Sequence, residues 1–167
     1  MPEQETIKRA RQDAREGKSP STQAGEFVRE EMEHIRQGRH GARSPQQAIA
    51  IGLSKARRAG VKLGAPKKGK TSEQTRKQAE RDLKKGAGAG SHTTSRRRSR
   101  ATSGALKREG RGAASHEALS RHAEASARRR GSADRHRAAE KAVRTKGSEG
   151  RKQAARKAAR TRRARRG

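Results

Sequence analysis

A run of apolar residues at helical spacing stands out between residues 44 and 64. Its members recur every three to four positions, which places them on one side of an α-helix. This spacing predicts an amphipathic helix with a single apolar stripe along it. The stripe consists of Ile49, Gly52, Leu53 and Ala56.

The residues around this run predict where the helix begins and ends. Ser44 is a suitable N-cap, because its hydroxyl can accept a hydrogen bond from a backbone N–H of the first turn. Pro45 then occupies the first helical position, where its missing N–H is not needed, and Gln47 completes a capping box with Ser44. Gly60 is expected to end the helix in the left-handed conformation.

A second amphipathic helix is predicted from about residue 21 to residue 37, followed by a turn at residues 38–41. Two such helices form a helical hairpin, here residues 20–64. The hairpin has a thin core, and domains this small usually need a staple or oligomerisation. A homodimer and folding on binding are therefore open alternatives. The homodimer would form through apolar side chains of both helices: Phe27, Val28, Met32, Ile35, Ile49 and Leu53.

The remaining chain is polar on both sides of the hairpin. Residues 1–19 are predicted to form a polar helical segment, and residues 65–167 are a low-complexity basic tail rich in Arg, Lys, Ala, Gly and Ser. Within the tail we predict a helix at 72–85 and a flexible hinge at 86–91. Three further blocks begin near a Ser, end at a Gly and become helical when their charge is neutralised: 115–131, 132–147 and 148–167.

Composition changes this picture by limiting how much of the chain can fold. Only 26% of residues are hydrophobic and 1% aromatic, whereas 38% are charged and the net charge is +29. Low hydrophobicity with high net charge is typical of chains that cannot bury enough surface to offset their ordering entropy. The predicted fold class is therefore mainly α, with a small N-terminal helical hairpin followed by a largely disordered, transiently helical tail.

The positive charge is distributed unevenly along the chain. Residues 1–40 hold eight Lys or Arg and eight Asp or Glu, so the whole excess of +29 lies after residue 40. Such asymmetry predicts a polyanionic partner. The candidate nucleic-acid-binding residues are Lys55, Arg57, Arg58, Lys62, Lys67, Lys68, Lys70, Arg96, Arg97, Arg98, Arg100, Arg128, Arg129, Arg130, Arg162, Arg163, Arg165 and Arg166.

The near absence of aromatic residues bears on which nucleic acid is bound. Modules for single strands and RNA stack bases on aromatic side chains, and Phe27 is the single aromatic residue here. Duplex DNA contacted through its phosphates is therefore the leading prediction, in the manner of histone-like, nucleoid-associated proteins. A helix-turn-helix that contacts base edges through Gln46 and Gln47 is a less favoured hypothesis, because two helices lack the third helix that normally braces such a unit.

Two alternatives from other functional classes stay open. An RNA- or ribosome-associated basic protein would use the same arginines, since Arg-rich segments can fold on RNA. A protein-interaction adaptor would instead use an acidic face of the second helix. That face consists of Glu26, Glu30, Glu31 and Glu33.

The segment from Ser44 to Gly60, with Glu26 to Glu31 upstream, resembles a family of small, basic bacterial proteins of uncharacterised function. Some relatives are loosely labelled as plasmid stabilisation or DNA-binding proteins. The resemblance covers roughly residues 1–65 and implies a bacterial origin, with no functional residues to carry over. The tail is similar in composition to the arms of bacterial histone-like proteins, although it favours Arg over Lys.

Other chemistry is disfavoured. Residues 64–71 match the P-loop pattern, but they follow no buried strand and no later segment offers an Asp to hold magnesium. The chain has no cysteine, and His116 and His122 have no neighbours at metal-ligand spacing. We therefore expect no enzymatic activity, cofactor or metal. The absence of an apolar leader or span predicts a cytoplasmic protein at the nucleoid, without a membrane partner.

Overall fold

The computed structural model describes residues 2–88 and 95–164, except the side chains of residues 145 and 146. Throughout these residues the regular structure is helical, with no strand, so the prediction of a mainly α fold is confirmed. The elements are α1 (Gln4–Arg15), α2 (Pro20–Arg36), α3 (Pro45–Arg58), α4 (Glu73–Gly86), α5 (Arg96–Arg108), a 3-10 turn (Gly112–Ala114), α6 (His116–Arg129) and α7 (Ser132–Ala164). The chain divides into two compact units, Met1–His122 and Ala123–Gly167.

The centre of the first unit is the predicted hairpin of α2 and α3. The helices run antiparallel, since the end of α2 packs against the start of α3 and the start of α2 against its end. They approach closely where Gly52 faces Val28: a Cβ at residue 52 would lie 2.7 Å from the Val28 Cα. A glycine in the apolar stripe is thus required by the distance between the helices.

The predicted ends of α3 are confirmed in detail. The Ser44 hydroxyl accepts from the Gln47 backbone N–H at 3.2 Å, as an N-cap should. The reciprocal half of the capping box differs, since the Gln47 side chain accepts from the Arg43 N–H at 2.8 Å instead of the Ser44 N–H. After the last helical residue, Gly60 has φ +93°, the left-handed conformation expected of it.

Two apolar clusters hold this unit together, one at each end of the hairpin. The cluster beside the α2–α3 turn consists of Met32, Ile35, Ala42, Ala48, Ala113 and Ala114. The cluster at the opposite end consists of Ala10, Ala24, Phe27, Ala56 and Val61. Both draw on residues outside the hairpin, from α1 and from the 3-10 turn, so the hairpin is not the folded unit by itself.

The prediction that the tail is largely disordered and only transiently helical is wrong. Helix α4 docks on α3 through Asp82, which is fully buried and accepts hydrogen bonds from Ser54 at 2.5 Å and Arg58 at 2.7 Å. The end of α5 and the chain after it are bound to the turn of the hairpin, where the Gly41 N–H donates to the Leu106 carbonyl at 2.8 Å and the Ala42 N–H to the Gly110 carbonyl at 3.2 Å. The average hydrophobicity of the tail did not predict these contacts, because alanines and one buried ion pair form them.

Helix α7 has a different character, since its described side chains are almost all exposed. It bends at Gly147, where φ is +62° and ψ is −178°. This is the residue at which two of the predicted tail blocks meet. Helices α6 and α7 therefore occupy the predicted blocks, as formed helices.

The apolar side chains considered for a homodimer lie in this intrachain core. Phe27, Met32 and Ile35 are buried, whereas Val28, Ile49 and Leu53 are half-buried. Only the second three retain surface that another copy could contact. Of the hinge predicted at 86–91, Gly86 is the last residue of α4, and residues 89–91 lie outside the described residues.

Candidate nucleic-acid interface

Helix α7 carries the densest set of exposed cations in the second unit. Residues 132–164 contain twelve Lys or Arg and three Asp or Glu, so most of the positive charge has no acidic counterpart within the helix. Two of the acids are engaged along the helix, Asp134 with Arg137 at 2.5 Å and Glu149 with Lys152 at 3.7 Å. The other described Lys and Arg side chains of this helix are exposed, on a backbone that Ala and Arg favour as helical.

The half of α7 after the bend is the most regular cationic surface. Arg156, Arg160 and Arg163 follow at i, i+4 and i+7 and therefore lie on one face. Seventeen helical residues extend about 25 Å. Duplex DNA carries a phosphate about every 1.7 Å of its axis. A helix of this length can therefore lie beside many phosphates at once.

Two other predicted clusters are exposed on helices. Arg96, Arg97, Arg98 and Arg100 form the first turns of α5, and all four are exposed. Arg128, Arg129 and Arg130 lie exposed at and just beyond the end of α6. Arg162 and Arg163 are exposed at the end of α7, whereas Arg165 and Arg166 lie outside the described residues.

The lysines between α3 and α4 are also exposed. Lys62, Lys67, Lys68 and Lys70 lie on a segment without regular structure, which turns where the Lys70 N–H donates to the Lys67 carbonyl. The chain before this segment is not a strand, so the P-loop pattern lacks the framework that aims backbone N–H groups at a phosphate. These lysines form a cationic loop.

Three of the predicted cations on α3 bind groups within the chain. Lys55 pairs with Glu31 at 2.6 Å, and the buried Arg57 guanidinium donates to the Leu63 carbonyl at 3.1 Å. Burial lowers the pKa of Arg57, partly opposed by the Asp82 carboxylate. Arg58 pairs with Asp82 and keeps half of its side chain exposed. The sequence did not reveal these partners because they are 24 or more residues away or are backbone carbonyls.

The acidic face of α2 is likewise engaged. Glu30 and Glu31 are buried, and Glu26 accepts from Arg9 at 2.7 Å and from Arg29 at 2.5 Å. Glu33 is the exposed member of the four. The acidic surface on which the adaptor alternative depends is therefore largely occupied by the chain's own groups.

Base recognition by the first unit has little support in this geometry. Phe27 is 1% exposed and lies in a core cluster, where it cannot stack on a base. The Gln47 side chain caps α3, which leaves Gln46 as the exposed glutamine at this helix N-terminus.

A cluster that the sequence analysis missed lies where α2 meets the following turn. Glu31, His34 and His40 each offer a ligand atom within 4.8 Å of the other two. The pKa of Glu3 is lowered beside them, first by its hydrogen bond with His34 and then by its hydrogen bond with Arg39. The signal in the sequence was a Glu and a His three residues apart on one helical face, followed by a His at a turn.

Comparison with protein-family models, curated proteins and solved structures finds no match to this chain. The resemblance of residues 1–65 to a family of small, basic bacterial proteins therefore stays a prediction. Among the described residues, none of the helices combines the length and apolar character that crossing a membrane requires.

Proposed function

We propose that this protein binds duplex DNA as a histone-like, nucleoid-associated protein, mainly through backbone phosphates and with little sequence preference. The observation that carries the proposal is α7, a long helix whose described cations are exposed and whose Lys and Arg far outnumber its acids. Its described side chains are almost all exposed, and its acids are too few to pair with all of its cations, so a bound polyanion would relieve the repulsion among the cations. A nucleoid location follows from this proposal.

Release of counterions from DNA supplies the binding free energy. Each phosphate neutralised by Lys or Arg releases condensed counterions, so the logarithm of affinity falls linearly with the logarithm of salt concentration. If the protein neutralises about ten phosphates, affinity should fall about 10⁵-fold between 50 and 200 mM salt. Base contacts would add sequence preference, and the described surface offers few groups for them.

The first unit contains a neutral N-terminal part and, after it, exposed cations that can contact phosphates. Its first 40 residues have no net charge, and several of its cations are paired with carboxylates. This division of charge assigns phosphate binding mainly to α7, the end of α6, the start of α5 and the loop before α4. RNA stays the alternative ligand, because exposed Arg-rich helices also contact RNA phosphates.

Two matched triple variants test whether α7 contacts phosphates. The first removes one face of α7: R156Q/R160Q/R163Q. The second removes three exposed cations from one face of α1: K8Q/R11Q/R15Q. Both lower the net charge by three, so long-range attraction changes equally, whereas only the first removes proposed phosphate contacts. Binding to a 30-base-pair duplex is measured by anisotropy at several salt concentrations.

The α7 variant should reduce the salt slope by about three and weaken binding to unrelated duplex sequences alike. The α1 variant should leave the slope near that of the unmodified chain. Equal slopes for the two variants would contradict the proposal, because charge alone and not its position would then matter. Competition between the duplex and a structured RNA of equal length separates the DNA proposal from the RNA alternative.

A further inference from the structure

The last turns of α2 and the turn that follows bring three potential metal ligands together. Glu31 and His34 lie three residues apart on α2, and His40 folds back from the turn. One ligand atom from each lies within 4.8 Å of the others. One carboxylate and two imidazoles form a ligand set that suits zinc, with a fourth position left for water.

The carboxylate at the centre of this group is buried without a hydrogen bond. Glu31 is 0% exposed, and neither of its oxygens has a hydrogen-bond donor among the described residues. The Lys55 ammonium lies 2.6 Å from Oε2, close enough for an ion pair but outside hydrogen-bonding geometry. Oε1 faces the His40 Nε2 at 3.4 Å. A buried carboxylate of this kind is costly unless a cation satisfies it.

The imidazole of His40 is oriented as a metal ligand would be. Its Nδ1 lies 3.1 Å from the Gly41 carbonyl and donates to it, which leaves Nε2 free to bind on the side facing Glu31. A histidine ligand usually donates its second ring N–H to a carbonyl or carboxylate, which fixes the ring and the tautomer. His40 therefore has both the ligand atom and the supporting hydrogen bond.

His34 has a comparable arrangement. Its Nε2 lies 3.0 Å from the Glu3 carboxylate and 2.9 Å from the Arg39 guanidinium, whereas its Nδ1 lies 4.0 Å from Glu30. The Arg39 guanidinium can only donate, so it binds Nε2 when the proton is on Nδ1, whereas zinc on Nδ1 would select the tautomer that donates from Nε2 to Glu3. That tautomer leaves the Nδ1 lone pair available and makes Glu3 the supporting carboxylate.

We propose that Glu31, His34 and His40 bind one Zn²⁺ ion, which ties the end of α2 to the turn that leads into α3. Zinc bonds of 2.0–2.2 Å in a tetrahedral arrangement place neighbouring ligand atoms about 3.3–3.6 Å apart. The 3.4 Å between the His40 Nε2 and the Glu31 Oε1 already equals such a ligand–ligand distance. Closure of the site then needs only a shift of the His34 ring toward them. Two imidazoles exclude magnesium and calcium, which prefer oxygen.

Lys55 is the competing explanation for the buried Glu31. Its ammonium pairs with Glu31 through Oε2 and with Glu30 at 3.4 Å, so an ion pair alone could account for the burial. Zinc bound to Oε1 would leave the ion pair between Lys55 and Glu31 in place. The positive charge of the Lys55 ammonium would then weaken zinc binding. Replacement of Lys55 by Met therefore separates the two explanations. If the zinc site exists, added zinc raises the stability of the K55M protein; if the ion pair alone explains the burial of Glu31, added zinc has no effect.

The direct test is calorimetric titration of tag-free, full-length protein with Zn²⁺ alone, in a buffer without phosphate and after chelator treatment. The decisive variant is H40Q, because His40 lies at a turn and is half-buried. The matched control is H136Q. That imidazole also lies 3.4 Å from a glutamate, Glu140, but it is exposed on α7 and belongs to none of the three-ligand groups among the described residues. Titration with Co²⁺ adds a readout of coordination geometry.

The proposal predicts one equivalent of Zn²⁺, with affinity reduced more than about 100-fold in H40Q and unchanged in H136Q. Substitution of the supporting carboxylate, E3Q, should weaken zinc binding about 10- to 100-fold. The Co²⁺ complex should absorb intensely in the visible range, as tetrahedral Co²⁺ does. Equal affinities for the unmodified chain and H40Q would overturn the proposal, and so would a K55M protein that zinc does not stabilise.

Discussion

Gly52 offers the sharpest test of how closely the two helices of the hairpin approach. A Cβ at this position would lie 2.7 Å from the Val28 Cα and 3.0 Å from the Val28 N. Ordinary carbon–carbon contacts are about 3.5–4.0 Å, so G52A requires the helices to separate by about 1 Å. The neighbouring atoms belong to the backbone and cannot rotate aside. The separation would loosen packing at both apolar clusters.

The magnitude follows from two opposing contributions. Overpacking of a well-filled core costs about 1–3 kcal/mol. An alanine in a helix interior is about 1 kcal/mol more favourable than a glycine. Gly25 supplies the matched control, because it is exposed within α2 and a Cβ there would have no neighbour within 4 Å. G25A should therefore stabilise the protein by up to about 1 kcal/mol, and G52A should be less stable than G25A by about 1–3 kcal/mol.

Urea unfolding followed by circular dichroism measures this difference. Urea is preferred to guanidinium chloride, because an ionic denaturant would screen the charges of a protein that carries +29. The two free energies of unfolding are compared at the same salt concentration. If G52A and G25A have the same free energy of unfolding, α2 and α3 do not approach each other at Gly52 and Val28 as closely as described, and this packing of the hairpin core is wrong.

Three further predictions concern the helix cap, the docking of α4 and the metal. S44A removes the hydrogen bond to the Gln47 N–H and should cost about 1 kcal/mol in urea unfolding. D82A removes the buried acceptor between α3 and α4 and should lower the free energy of unfolding by about 1–3 kcal/mol. Hydrogen-exchange protection should be lost first in α4. The control is D134A, on the exposed α7, which should change the free energy of unfolding by less than about 0.5 kcal/mol. Zn²⁺ at 100 times its Kd should stabilise the unmodified chain by about 2.7 kcal/mol, and H40Q should show no such gain.

The first helices were predictable because local signals and tertiary packing agree there. Helix α3 has an N-cap, a proline at its first position, an apolar stripe and a glycine after its end, and the structure uses all four. The stripe also predicted which side packs on α2. What the pattern could not reveal was the need for glycine at residue 52, which depends on the distance to another helix.

The tail was mispredicted because its contacts depend on single residues. Ala113 and Ala114 fill space beside Met32 and Ile35, and Asp82 captures groups from α3. None of these residues raises the average hydrophobicity. Composition describes α7 better, since the described residues of that helix place almost no side chain in a core.

The candidate interface was predictable in its location along the sequence but not residue by residue. A charge run shows where cations are concentrated, but it does not show which of them a distant carboxylate neutralises. In the sequence, Lys55 and Arg57 cannot be distinguished from the tail arginines as candidates for phosphate binding. In the fold, both side chains bind groups of the chain itself. The ligand group of Glu31, His34 and His40 was missed because a turn, not a regular spacing, brings its third member into place.

We propose that α7 binds duplex DNA through the phosphates. The most direct measurement compares salt-dependent duplex binding by the full chain and by residues 1–131, which lack α7 but keep the buried residues of the first unit. We predict a slope near −9 for the full chain, if about ten phosphates are neutralised, and a clearly shallower slope for the shorter protein, which keeps the exposed cations of α5, of the end of α6 and of the loop before α4. Equal slopes, or an affinity of the full chain that barely changes with salt, would contradict the account.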